Sequence, residues 1–370
     1  MAVTDATPQS RPAAIGRDRT SGRWVLLLAA GLLALFLWYA NGTFNDYRLQ
    51  LVILVAINAC IAVSLTMTNG FTGVFSLGQI GFLAIGAYVG ALLSLAPQWK
   101  GEMFLPGLPA WLATFDSSGW PDQAALLLAC VAGGSLAALV GVVVGYPLMR
   151  LSGHYVAVAT MGFLIIVQSV IVHWDAVTLG SRGLNPIPTY TNVWSAYGWA
   201  IATVYVAWRI RASPFGRSMI ASRENLIAAK AVGVNVHRSR LLAFVVGAFL
   251  TGAAGALLGH QIGTVTPSAY YFTTTFNVVI MVVLGGLGSI SGAIVGATIM
   301  TLGPEYLRDV EDGMALGPLS FGQAYGLSQI ILAIGFILVM IFRPKGLFGD
   351  REIGLDLFRR RGRPPPAGEP

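Results

Sequence analysis

The sequence predicts an all-α polytopic integral membrane protein of about ten transmembrane helices, one pair of them a short or re-entrant hairpin, with no separate soluble domain. Three observations lead there. Hydrophobic residues make up 55% of the chain and charged residues 11%, with a mean hydropathy of +0.70; soluble proteins carry roughly 25% charged residues. The apolar residues come in runs close to the roughly 20 that a helix needs to cross a bilayer. Every Lys, Arg, Asp and Glu falls in a tail, in a loop or at a run boundary. The net charge of +7 therefore reads as the positive-inside bias of a membrane protein and excludes a nucleic-acid partner.

Residues 1–23 form a basic tail with Arg11, Arg17, Arg19 and Arg23, expected in the cytoplasm. The run Trp24 to Ala40 is an uncleaved first span: no small-residue cleavage site follows it, and Trp38 and Tyr39 suit an interface. Leu49 to Thr68 is the second. Asn69 to Gly81 is too rich in Gly and polar residues for a lipid-facing helix, leaving an ordinary loop or a broken segment beside a substrate path. Phe82 to Leu95 follows, with Gly86 and Gly90 spaced for close helix approach. Ala96 to Gln123 reads as an outward loop. Ala124 to Met149, with Gly141 and Gly145, is the fourth span, His154 to Trp174 the fifth and Val193 to Trp208 the sixth.

The basic loop 209–240 comes next, with seven Lys or Arg residues against the single acid Glu224. Its middle predicts a short helix capped by Ser222, with Glu224 in the first turn and Gly233 as the stop. Leu241 to Ile262 is the seventh span, with a small-residue face of Gly252, Gly255 and Gly259. If Ser268 to Gly303 crossed once, the acidic segment 305–312 would face the cytoplasm and the basic C-terminal tail the outside. Two passes turning at Gly285 to Ser289 reverse both, so a tight helical hairpin is expected there. The membrane domain thus spans 24–342, ending with Ala324 to Phe342. Residues 343–370 form a cytoplasmic basic, Pro-rich tail, in which Arg359, Arg360 and Arg361 either hold membrane lipid headgroups or are simply solvated.

No mid-span charge marks an ion or proton pathway, which points away from ion coupling. No phosphate loop, no metal-binding or hydrolase motif and no carboxylate cluster occurs, so catalytic and metal residues are none and an enzyme is not expected. His154, His173, His237 and His260 are read as hydrogen-bonded boundary residues, and Cys60 and Cys130 as inert core. The polar residues inside spans, Asn58, Gln79, Gln168, Gln261 and Asn277, are candidates for a substrate path or, alternatively, for interhelical hydrogen bonds.

Four separated blocks carry a resemblance. Glu224 to Asn235 with Leu241 to Phe244, Ser76 to Phe82, Gly285 to Gly292 and Arg343 to Gly349 resemble, in order, the permease subunits of the branched-chain amino acid group of ABC importers, most of all the longer M-type subunit. The importer-wide loop has Glu-Ala-Ala; here Asn225 and Leu226 stand in place of the alanines, while Gly233 is kept. The resemblance implies a permease in the bacterial cytoplasmic (inner) membrane with both termini cytoplasmic. It would pair with a homologous second permease subunit, be driven by two cytoplasmic ATPase subunits and be fed by a substrate-binding protein on the outer side. No cofactor would be bound directly, ATP being held on the partner subunits. Coupling to the ATPases would fall to Arg223, Glu224, Leu226, Ile227, Ala228, Ala229 and Gly233. The cargo would be branched-chain or other small hydrophobic amino acids; urea or short amides are the alternative, and an ion-independent channel or facilitator a further one.

Overall fold

The computed structural model describes residues 19–349, apart from 105–107, 118, 152, 312–314, 317–318 and 321–325, together with residue 352. Among these residues the regular elements are helices, apart from one two-stranded ribbon, Ala315–Leu316 against Leu319–Ser320, and an isolated bridge between Leu184 and Val265. Residues 359–361 of the tail lie outside the described set. Two units are distinguished. The first contains α1 (Arg19–Thr43), where the expected first span lies; at its end the Phe44 ring meets Phe36 and Tyr39 edge-on.

The second unit runs from Asn45 to Ile353. It begins with α2 (Asp46–Leu65), which passes into a π-helical turn, Thr66–Gly70, and then into an extended stretch before α3 (Gln79–Ser94). Two short helices, α4 (Pro97–Met103) and α5 (Ala110–Ala113), fold the next loop around the buried Lys100. Its Nζ donates to the carbonyls of Leu112 and Phe115 at 3.1 and 2.9 Å. Burial pulls the Lys100 pKa below its ordinary value, against the opposing charge of Asp116.

Then come α6 (Asp122–Leu148), α7 (His154–His173), the one-turn α8 (Asp175–Thr178) and α9 (Val193–Ala212). The last starts with a reciprocal cap between Asn192 and Ser195. The basic loop holds α10 (Pro214–Glu224) and α11 (Leu226–Ala231). It is followed by α12 (Val236–Ile262), α13 (Phe272–Gly285), α14 (Ile290–Glu311) and α15 (Leu327–Phe342).

The centre of the unit is α12, packed against α6, α3 and α2. It has no polar face along most of its length, as befits a helix surrounded by others. Backbones touch where the glycines sit. A methyl added at Gly86 would lie 1.9 Å from the Gly252 carbonyl oxygen, and one at Gly255 2.0 Å from that of Leu83. Phe82 fills the space beside this seam, its ring centroid 4.9 Å from Phe163 and 5.2 Å from Phe244. The expected hairpin is present: α13 and α14 run side by side with Gly285 and Gly292 in mutual backbone contact, and both pack on α2. At the far end of α12, His260 donates from Nδ1 to the Ala256 carbonyl and accepts at Nε2 from Ser94, the hydrogen-bonded role expected of it. Cys60 and Cys130 are free thiols buried in the core.

Five of the described helical segments are long and apolar enough to cross a membrane: Asp46–Gly70, Asp122–Leu148, His154–His173, Val236–Ile262 and Pro267–Gly285. Gln79–Ser94 and Gln329–Phe342 are apolar but shorter. Both ends of the basic loop differ from expectation: α9 continues to Ala212, past the expected Trp208, so Arg209 and Arg211 belong to that helix. The seventh long helix starts at Val236, not Leu241, because the Asn235 side chain caps it by accepting from the Arg238 N–H. Arg238 and Arg240 therefore belong to that helix and not to the loop.

Candidate functional site

The basic loop is built in two pieces. Ser213 caps α10 by accepting from the Gly216 N–H, with Pro214 at its first position. The helix then runs through Ser222, which is buried and donates its hydroxyl to the Met219 carbonyl. Ser222 is thus not the cap that the sequence suggested. That role falls to Asn225, whose backbone is extended and whose Oδ1 accepts from the N–H groups of Ile227 and Ala228, both at 3.0 Å. Glu224 consequently ends α10 instead of opening the next helix, and it pairs with Arg223 at 3.5 Å. Gly233 closes α11 as expected, at φ +84°, its N–H donating to the Lys230 carbonyl while Val234 N–H reaches that of Ala229.

This geometry sorts the loop's apolar side chains. Ile227 and Val232 are 81% and 78% exposed, and Ala228 is exposed between them. Leu226 is half-buried. Ala229 is buried against the chain's own helices, so it supports α11 from beneath and does not contribute to its outer surface.

Two arginines tie the loop's base to the rest of the bundle. Arg223 Nη1 donates to the Gly70 carbonyl at 2.8 Å, where the π-turn ends, and its stem lies against Gly73. Arg211 donates to the Gly288 carbonyl at 2.8 Å, lies over the Phe71 ring and pairs with Glu352. Glu352 in turn accepts from the N–H groups of Ile290 and Ser291 and the hydroxyls of Ser289 and Ser291, at the start of α14. A carboxylate suits that helix end. The chain after α15 reaches the same place, with Leu347 and Phe348 N–H groups donating to the Leu284 and Gly285 carbonyls. Basic loop, hairpin turn, broken segment and C-terminal strap thus meet at one end of the unit. Sequence reasoning missed Asn225, Arg211 as an anchor, and Glu352. Only Asn225 left a local signal, as an Asn directly before a short apolar helix.

The stretch Asn69 to Gly81 is a break within protein. Ser76 N–H donates to Asn69 Oδ1 at 2.9 Å and Asn69 Nδ2 returns to the Ser76 carbonyl. Leu77 N–H donates to Thr160 at 3.0 Å. These bonds satisfy backbone that leaves the helix at this depth. Residues then alternate, with Gly73 and Phe75 exposed and Thr72, Val74 and Ser76 buried.

Of the polar candidates, Gln79 is buried and donates to the Gly247 carbonyl at 3.0 Å and to Thr251 at 2.5 Å. Its Oε1, the Thr68 Oγ1 and the Ser76 Oγ are buried without a protein partner. Asn58 donates to Thr301 at 2.9 Å, joining α2 to α14. Gln168 and Gln261 are half-buried and Asn277 is exposed. The structure does not gather these five into one cluster. Among the described residues no group of three metal-ligating side chains occurs.

The family model described as the branched-chain amino acid transport system / permease component matches residues 47–310. The chain belongs to this family. It is 27% identical to the high-affinity branched-chain amino acid transport system permease protein LivM of Escherichia coli (strain K12), over 89% of this chain and 76% of that one. It is also 27% identical to the corresponding LivH protein of Salmonella typhimurium, over 86% of this chain and 98% of LivH. A probable branched-chain amino acid transport permease protein LivM of Methanocaldococcus jannaschii is 25% identical, over 79% and 90%. No solved structure matches the chain significantly. As a family member the chain is a multi-pass transport permease and not an enzyme, and it is similar to both of the permease types named in its relatives. The matched region contains the break at Asn69 to Gly81, all of the basic loop and the α13–α14 turn.

Proposed function

We propose that this permease is one half of the membrane part of an ATP-driven importer for branched-chain or other small hydrophobic amino acids, in a bacterial inner membrane. It forms the path with a homologous second subunit. A binding protein delivers cargo from outside, and two ATPase subunits dock on the basic loop from the cytoplasm. The chain crosses about ten times with both termini inside, and its own residues bind no nucleotide. The names of the relatives support the cargo class.

The observation that carries the coupling role is the build of the loop. α11 presents Ile227, Ala228 and Val232 outward while Ala229 and the Arg223–Gly70 bond fix its base to the broken segment of the second span. Pressure on α11 therefore reaches a point in the bundle where helical hydrogen bonding is already interrupted, and where the exposed Gly73 and Phe75 adjoin the proposed path.

The test is uptake in proteoliposomes holding the whole transporter, with ATP hydrolysis read in parallel. Gly233→Pro removes both the positive φ and the N–H that closes α11, and Glu224→Lys replaces the carboxylate that pairs with Arg223 by a like charge. Both variants are expected to keep ATP hydrolysis and to lose uptake at least about ten-fold, the effect of roughly 1.4 kcal/mol. Coupled uptake at the unaltered rate in both variants rules out this role for the loop.

A further inference from the structure

Where α6 ends and α12 begins, basic groups gather with no acid among the described residues to meet them. The first five residues of α12 include His237, Arg238 and Arg240 and no acidic residue. That end of a helix has a partial positive charge, so these side chains oppose the dipole. From the facing corner come Tyr146 and Arg150. The Arg150 guanidinium lies over the Tyr146 ring, 4.4 Å from its centroid, and donates to the Tyr146 hydroxyl. His237 meets the same ring edge-on at 5.2 Å. Arg240 reaches the Leu151 carbonyl at 3.4 Å, closing the corner from the other helix.

Three nitrogens in this corner are buried and meet no protein partner: both ring nitrogens of His237 and Nε of Arg240. A neutral His237 has one donor and one acceptor nitrogen, and the Arg240 Nε is a donor; each buried donor left unmet costs about 1–3 kcal/mol. The ion pairs found among the described residues, Arg211–Glu352 and Arg223–Glu224, lie elsewhere. An anion seated between Arg150, His237 and Arg240 answers the dipole, the clustered charge and the unmet donors together.

The adjoining surface selects the kind of anion. Val143 lies two turns before Arg150 and Val142 one turn before Tyr146, and both are exposed; so are Tyr155 and Val158 at the start of α7. The anion site thus opens directly onto exposed hydrocarbon. We propose that Arg150, His237, Arg240 and Tyr146 hold the phosphate of an anionic phospholipid, whose acyl chains lie along the exposed faces of α6 and α7. None of the C-terminal arginines 359–361 is part of this proposal. It rests on the membrane character of the chain and not on its role as an importer, so the two readings fail independently.

The test is native mass spectrometry of the full chain in detergent, titrated with phosphatidylglycerol, phosphatidylcholine or inorganic phosphate. Phosphatidylglycerol is expected to be retained in preference to phosphatidylcholine, and inorganic phosphate at the same concentration is expected not to displace it. Arg150→Gln and Arg240→Gln should each weaken phosphatidylglycerol binding by about ten-fold, the worth of one charge-assisted hydrogen bond. Arg343→Gln, at an exposed arginine after α15, should leave it within about two-fold. Arg150 is exposed, so its variant keeps the test valid if Arg240→Gln does not fold. Equal retention of the two lipids, displacement by inorganic phosphate, or an equal loss in Arg343→Gln overturns the proposal.

Discussion

Arg223 joins two positions that the chain keeps 153 residues apart, the basic loop and the Gly70 carbonyl. A carbonyl at the end of a π-turn lacks its helical donor, and a guanidinium is the side chain with both the reach and the charge to supply one. A hydrogen bond from a charged group contributes about 1.5–3 kcal/mol. Arg223→Gln is therefore expected to lower uptake per ATP hydrolysed by several-fold in the reconstituted transporter, with Arg223→Lys intermediate. An unchanged ratio of uptake to hydrolysis in both variants would show that the bond carries no coupling. Arg223 was legible in the sequence as a basic loop residue, but its partner was not, because nothing local points to Gly70. Glu352 was invisible for the same reason: its hydrogen bonds exist only once the strap has folded back on α14.

Helix approach is decided by side chains that are missing. The seam between α3 and α12 brings Gly86 onto the Gly252 carbonyl, and the hairpin brings Gly285 onto Gly292. A backbone carbonyl cannot swing aside as a side chain does, so adding bulk there must part the helices. Gly86→Val is expected to lower the midpoint of thermal unfolding in detergent and the yield of assembled protein, at a cost of about 1–3 kcal/mol or more. Gly162→Ala and Gly198→Ala, on α7 and α9 with open space around them, should leave the midpoint unchanged or raise it, since Ala favours the helix by up to about 1 kcal/mol. If all three variants behave alike, close packing does not set the stability of this bundle. The glycine pairs were readable from their spacing, and so were the long helices, from the length of the apolar runs. The start of α12 was not: hydropathy marks where a chain becomes apolar, whereas the cap at Asn235 starts the helix at Val236, five residues earlier than Leu241 suggested. The loop helix was misjudged similarly, since Ser222 and Asn225 both have the chemistry of a cap and only the extended backbone at Asn225 decides between them.

At the scale of the molecule, the α13–α14 hairpin fixes which way everything after it faces. A single pass between Ser268 and Gly303 would place Glu305, Asp309 and Glu311 on the side of the basic loop and send Arg343 and Lys345 to the other, against the charge bias of membrane proteins. The structure folds this stretch back on itself, and its turn meets Arg211 from the base of the basic loop and the strap that follows α15. Those contacts require Leu287 and Ile227 to lie on one side. Ser268 and Tyr306, at the opposite ends of the two arms, then lie on the other. All four are exposed, and the native cysteines are buried, so single cysteines report cleanly. In intact cells, Ser268→Cys and Tyr306→Cys are expected to react with a membrane-impermeant maleimide. Ile227→Cys and Leu287→Cys should react only after the membrane is opened. Labelling of Leu287→Cys from outside, or protection of both Ser268→Cys and Tyr306→Cys, would mean that the hairpin does not cross. With Leu287 outside, the hairpin turn and the basic loop would have to face opposite compartments, which the bond from Arg211 to the Gly288 carbonyl does not allow.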